Sequence, residues 1–221
     1  MNVLAIDTST EACSAALLRA DGAIFSEFEV APRQHMQLLP MMMDAVLAAS
    51  EIPRQSISHC AFSNGPGAFT GIRIAAAQAQ GIGLALNIPL LPVSTLAVLA
   101  QACMDQFDCA NALVALDARM QEIYWACYQR DAAGLARLTG SERLGSVNEI
   151  EFAANIECGG GHGWLDELRT RASFPVDASL LPNAKALLKL ATAAIEQNLA
   201  VDASKVSINY LRNQVAEKAT S

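Results

Sequence analysis

"VLAIDTSTEACSAALL", residues 3–18, reads as a buried strand, a polar turn entered at Asp7, and a second strand. The pattern returns at "ALVALDARMQEIYWACY", residues 112–128, where the strand ends at Asp117 and the turn holds Arg119. A hydrophobic strand that ends at an aspartate and is answered by another strand, twice in one chain, implies an internal duplication. Its boundary falls near "DQFDCAN", residues 105–111.

Each unit is followed by a similar succession. After the first come the strand "AIFSEFEV" behind the hairpin signal Asp21-Gly22, and a helix over "HMQLLPMMMDAVLAAS", residues 35–50. Next are a strand near Ala61, a helix opened by Thr70, the strand "IPLLPV", and the helix "STLAVLAQACMDQ" capped by Ser94 or Thr95. After the second come a strand over "GLARLTGSERL", a weak one at "NIEC", the loop "GGGHGW", and the helix "NAKALLKLATAAIEQ". Hairpin-ordered strands followed by alternating helices and strands predict an α/β fold of two lobes, each a mixed sheet with helices packed on it. The lobes are expected over residues 1–106 and 107–221, with the C-terminal tail packing back on the first.

Composition narrows the function. With 52% hydrophobic residues a substantial core is available, and the net charge of −7 argues against a chain that grips nucleic acid alone. All the lysines (Lys185, Lys189, Lys205 and Lys218) lie in the last quarter. The start "MNVLAIDTST" has no basic export signal, and no apolar run is long enough to span a bilayer, so the expected location is the cytoplasm. The six cysteines form no C-x-x-C pair and read as buried or free thiols.

The glycine-rich stretch "SNGPGAFTGIRIAAAQAQGIG", residues 63–83, is tested first as a phosphate cradle. It has no lysine where a P-loop needs one, and Thr70 stands where a dinucleotide fingerprint needs its third glycine. It reads instead as an elbow that aims a helix. His35 and His59 lack a second ligand at helical spacing, and no Ser/His/Asp or Cys/His pairing supports a peptidase.

Two helices carry more information. In residues 35–50, Met36, Leu39, Met43, Val46 and Leu47 form one apolar stripe, expected to face the chain's own core. Leu38, Met41, Met42, Ala45 and Ala49 form a second, expected to meet another chain, since methionine suits adaptable contact surfaces. In the helix after Thr70, Ala75, Ala79 and Gly83, with Ile72, make a smooth strip that lets a partner helix approach.

The two aspartate turns resemble the phosphate loops of the actin-like superfamily. More specifically, "LAIDTSTEACSAAL", "HMQLLP", "SNGPGAFTGIRI", "PVSTLAVLA", "LDARMQEIYWA" and "YLRNQVAEK" resemble the TsaB (YeaZ) family over nearly the whole chain. The resemblance implies two actin-like (RNase H-like) lobes. It also implies a scaffold or activating role in placing threonylcarbamoyl on the adenosine beside the anticodon of tRNAs that read ANN codons. The implied partners are TsaD, as a heterodimer, and TsaE, with self-pairing when TsaD is absent and tRNA met only through the complex. TsaD carries a metal-binding histidine pair where this chain has Thr95 and Leu99, so no metal and no catalysis by this chain alone are expected. The superfamily pattern makes Asp7, Thr8, Ser9 and Asp117 the candidate phosphate contacts. Gly160 and Gly161, beside His162, become candidates for the nucleoside, with ATP or ADP shared with a partner rather than held as an intrinsic cofactor. A small kinase using Asp7 and Asp117 is the second expectation.

Overall fold

The computed structural model describes residues 1–164 and 166–212; the C-terminal motif therefore lies partly outside the described residues. The first sheet contains β1 (Val3–Asp7), β2 (Ala12–Leu18), β3 (Ile24–Val30), β4 (His59–Ser63) and β5 (Leu90–Val93). The second contains β6 (Asn111–Arg119), β7 (Glu122–Arg130), β8 (Ala136–Gly145), β9 (Cys158–Gly160) and β10 (Val176–Asp177). Their orders are β3-β2-β1-β4-β5 and β8-β7-β6-β9-β10, with three antiparallel strands and then two added in parallel. The second half thus repeats the first strand for strand, and the duplication read from the two aspartate turns is present in the topology.

Among the described residues five α-helices complete the layers: α1 (His35–Ser50), α2 (Phe69–Leu86), α3 (Thr95–Phe107), α4 (Asp166–Arg171) and α5 (Ala184–Glu196). Helices α1 and α2 cover one face of the first sheet around Leu4, Ile6, Leu17, Leu39 and Phe62. The halves then exchange helices. From the first half, α3 packs Leu96, Leu99, Cys103 and Met104 onto β6 and β7. From the second, α5 packs Leu187, Leu188 and Ala191 onto Val3, Ala5, Ala16 and Ala61. The two helices touch one another between the sheets. Val98 and Ala102 of α3 also join the α5 cluster on the first sheet, so the two helices form one apolar layer shared by both halves.

Side-chain caps start two of the helices. Ser94 caps α3 by accepting from the amides of Leu96 and Ala97 at 3.2 and 3.4 Å, and Asn183 caps α5 by accepting from Ala186 at 2.9 Å. The expected cap at Thr70 is not formed: α2 begins at Phe69 behind Ala68, without a side-chain cap. Its first turn is held instead by the β1–β2 turn, for Ala68 N–H donates to the Ser9 carbonyl and the Thr8 hydroxyl to the Gly71 carbonyl, both at 2.8 Å. A Cβ on Gly71 would collide with the Thr8 carbonyl oxygen, so the glycine is required by close approach. The cysteine reading also needs correction. Cys109 and Cys158 are bonded, because pairing of β6 with β9 brings Cys158 beside Ala112, a neighbourhood no local spacing reveals.

Candidate functional site

The strands end at a cleft of about 410 Å³ between the two aspartate turns. Asp7 does not face it. The side chain is buried, and one carboxylate oxygen accepts from Ser9 N–H at 2.9 Å and Ser9 Oγ at 2.8 Å. The other oxygen meets Ser63 Oγ, from the end of β4. Burial pushes this carboxyl above its ordinary pKa, against the downward pull of Ser63 and Ser9. Thr8 and Ser9 are buried as well, so this turn is an internal joint between β1, β4 and α2.

Asp117 does line the cleft, but its acceptors are taken by Arg119 N–H at 2.7 Å and the Arg119 guanidinium at 2.9 Å. Arg119 also reaches Glu11 across the cleft at 3.7 Å. Arg212 holds Glu122 at 2.5 Å and donates to the Ala118 carbonyl at 3.1 Å. The cleft's arginines are therefore engaged by carboxylates of its own walls. Gly160 and Gly161 are buried behind it: a Cβ on Gly160 would lie 3.0 Å from Cys103 Sγ, and one on Gly161 would strike the Ala115 carbonyl. These glycines let β9 approach α3 and β6. Only His162 of that loop lines the cleft, and burial lowers its pKa. The sequence-derived set thus separates, with Asp117 and the Ser9 backbone region at the cleft and Asp7, Thr8, Gly160 and Gly161 serving packing.

Two further elements shape the cleft, the C-terminal stretch expected to pack back on the first lobe and Glu142, which the sequence did not mark. The segment from Val206 to Arg212 crosses its mouth, with Asn209 N–H donating to the Asn64 carbonyl at 2.8 Å. Glu142 then ties the halves together. It accepts from Asn209 Nδ2 at 2.8 Å and Tyr128 OH at 2.9 Å, and it meets Ser94 Oγ at the α3 cap. No local pattern marks this glutamate, since its partners come from three separate segments.

Where a histidine pair would stand, Thr95 and Leu99 are fully buried, and Leu99 belongs to the α3 core. Among the described residues no group of three or more His, Cys, Asp or Glu is placed to hold a metal. His35 is buried at the start of α1 with Nε2 3.2 Å from the Ala12 carbonyl, and His59 contacts Ser58.

The second candidate surface is the outer face of α1 and α2, and the assignment of its residues changes. Helix α1 turns His35, Leu39, Met42, Val46 and Ser50 inward. Met42 is 7% exposed and belongs to the core, whereas Met36 faces solvent and Met41 is 67% exposed beside Ala45 and Ala49; Leu38 is half-buried. In α2, Ile72, Ala75, Ala79 and Gly83 face the sheet, with a Cβ on Gly83 coming 3.0 Å from Leu90. The exposed small residues are Ala77, Gly81 and Ala85, at the same i, i+4, i+8 spacing on the opposite face, next to exposed Leu84. Gly81 has no atom within 4 Å of a Cβ position. Between the helices runs an apolar groove of about 300 Å³ past Met43, Leu47, Ile82 and Leu86.

Comparison with known proteins agrees with this architecture. Residues 28–219 match the family model described as tRNA N6-adenosine threonylcarbamoyltransferase, TsaD. The tRNA threonylcarbamoyladenosine biosynthesis protein TsaB of Escherichia coli is 37% identical over 99% of this chain and 97% of its own length. That of Haemophilus influenzae is 33% identical over 99% and 96%. The solved structure of YeaZ from Pseudomonas aeruginosa superposes with a TM-score of 0.89 at 40% identity, covering 95% of this chain and all of that one.

Proposed function

Since the chain belongs to the TsaB (YeaZ) family, we propose that it acts in the biosynthesis of threonylcarbamoyladenosine in tRNA as a subunit that supplies no catalytic group. The kinase reading is not favoured, because the Asp7 that it requires at a triphosphate is enclosed in its own turn. The observation that carries the scaffold reading is the outer face of α1 and α2. It presents Met36, Met41, Ala45, Ala77, Gly81 and Leu84 to solvent on a chain whose cleft arginines are already paired. Small residues allow two helix backbones to approach closely, and flanking methionine and leucine supply the apolar contact.

In this reading TsaD docks on that face, TsaE joins the pair, and the same helices mediate self-pairing when TsaD is absent. ATP or ADP is held only jointly with a partner, tRNA reaches the protein only through the complex, and the setting is the cytoplasm. The test is tRNA modification reconstituted from TsaD, TsaE and this protein, each omitted in turn. Omission of this protein is expected to abolish the product. Full modification without it would refute the proposal.

A further inference from the structure

The four sheet edges are not alike. At β5, Pro92 interrupts the donor row, and Leu90 exchanges two 2.8 Å backbone hydrogen bonds with Val201. β10 has two residues. β8 carries Gly140 at φ 85°, a register shift opposite Trp125 and Cys127, and Arg137 and Arg143. Edges of natural sheets are blunted in these ways because an unpaired row of N–H and C=O groups templates another strand. Among the described residues, β3 has only one of these devices, the charges of Glu27 and Glu29. Its seven residues, "IFSEFEV", pair with β2 in unbroken register, without proline, glycine or a cation.

The two faces of β3 differ. Ile24, Ser26, Phe28 and Val30 lie opposite Leu18, Ala16, Ser14 and Ala12, on the side of α5. Helix α5 packs mainly on β2 and only partly on β3, leaving Phe28 50% and Val30 53% exposed; Phe28 lines a groove with Leu180, Leu181, Asp177 and Lys185. Glu27 and Glu29 lie opposite Ala15 and Cys13 on the other side, and both are exposed.

We propose that β3 accepts an extended segment of another protein, one that alternates apolar and basic residues and adds a sixth strand to the first sheet. The apolar side chains would continue the Phe28 face and the basic ones would meet Glu27 and Glu29. Charge disfavours a second copy in the register that pairs the whole strand. Antiparallel self-pairing centred on Glu27 or Phe28 sets Glu27 against Glu27 or Glu29, and like charges directly opposed across strands are destabilising. The surface is separate from the α1–α2 face and does not depend on the function assigned to it.

The probe is a fluorescein-labelled heptapeptide alternating valine and lysine. Its comparisons are a peptide of the same composition with the lysines in one block, and one alternating valine and glutamate. Anisotropy is read together with backbone hydrogen exchange of the protein. The alternating lysine peptide is expected to bind and to slow exchange within residues 24–30. The blocked and glutamate peptides should bind about tenfold or more weakly, as expected when cross-strand pairing or its charge match is lost. The double variant Glu27→Lys, Glu29→Lys should lose the alternating peptide while melting like the parent, because both side chains stand in solvent. Equal binding of the blocked peptide, undiminished binding by the double variant, exchange slowed elsewhere than β3, or no binding would each overturn the proposal.

Discussion

The two aspartate turns begin alike and end differently. Asp7 closes β1 and disappears into the protein, collecting Ser9 and Ser63 donors, whereas Asp117, two residues before the end of β6, stays at the cleft with the neighbouring Arg119. The first turn must carry the start of α2, which leans on the Thr8 and Ser9 carbonyl and hydroxyl groups. The second is a tight hairpin, with Arg119, Met120 and Gln121 all at positive φ. A duplicated motif has thus kept its backbone path while one copy became a structural joint. Two tests follow for whether burial, rather than the shared motif, sets each aspartate's role.

The larger effect is expected from alanine substitution. Asp7→Ala leaves two Ser9 donors and one from Ser63 without an acceptor in a buried place. Unmet donors cost about 1–3 kcal/mol each before relaxation, so a net loss near 3 kcal/mol is expected. For a chain of this size that is a fall of about 10 °C in melting temperature. Asp117→Ala removes an exposed pair and should change stability by no more than about 0.5 kcal/mol. Equal losses measured by thermal melting would break the contrast.

A smaller effect is expected in pH dependence. The folded Asp7 carboxyl has a raised pKa, so the folded state holds its proton more firmly than the unfolded chain does. The associated stability is fully present below the ordinary carboxylate pKa and is lost as pH rises through the raised folded value. Asp7→Asn, which keeps the shape of the protonated acid, should remove that decline. Denaturant melts of both proteins from acidic to neutral pH measure it. A decline of the same size in Asp7→Asn would assign it to other groups.

The sequence carried much of this architecture and little of its faces. The strand–aspartate–turn–strand units were legible because each lies within one short stretch, and the exchange of α3 and α5 between sheets left no such local mark. The fate of Asp7 was hidden because Ser63 lies on another strand of the sheet. In α1, the run Met41-Met42-Met43 gives apolar residues in every direction, so periodicity alone could not place Met42 in the core. In α2, Ala75, Ala79 and Gly83 share their spacing with Ala77, Gly81 and Ala85, and only contact with Leu90 and Ala203 tells the inner strip from the outer. The glycine-rich stretch was read as an elbow ahead of α2, and the atoms that demand its glycines belong to the β1–β2 turn and to Asn209, which lie far from it in sequence.

The central claim is that the chain contributes a docking face rather than chemistry, and Gly81→Leu tests it most directly. Replacing a solvent-facing helical glycine should stabilise the free chain by up to about 1 kcal/mol, because glycine is a poor helix former. The same leucine would hold a partner helix away from the Ala77–Gly81–Ala85 strip. The measurement is thermal melting of the free variant, paired with sizing of its mixture with TsaD. Melting at or above that of the parent and loss of the heterodimer are expected. A variant that melts normally and still forms the complex at parental affinity would contradict it.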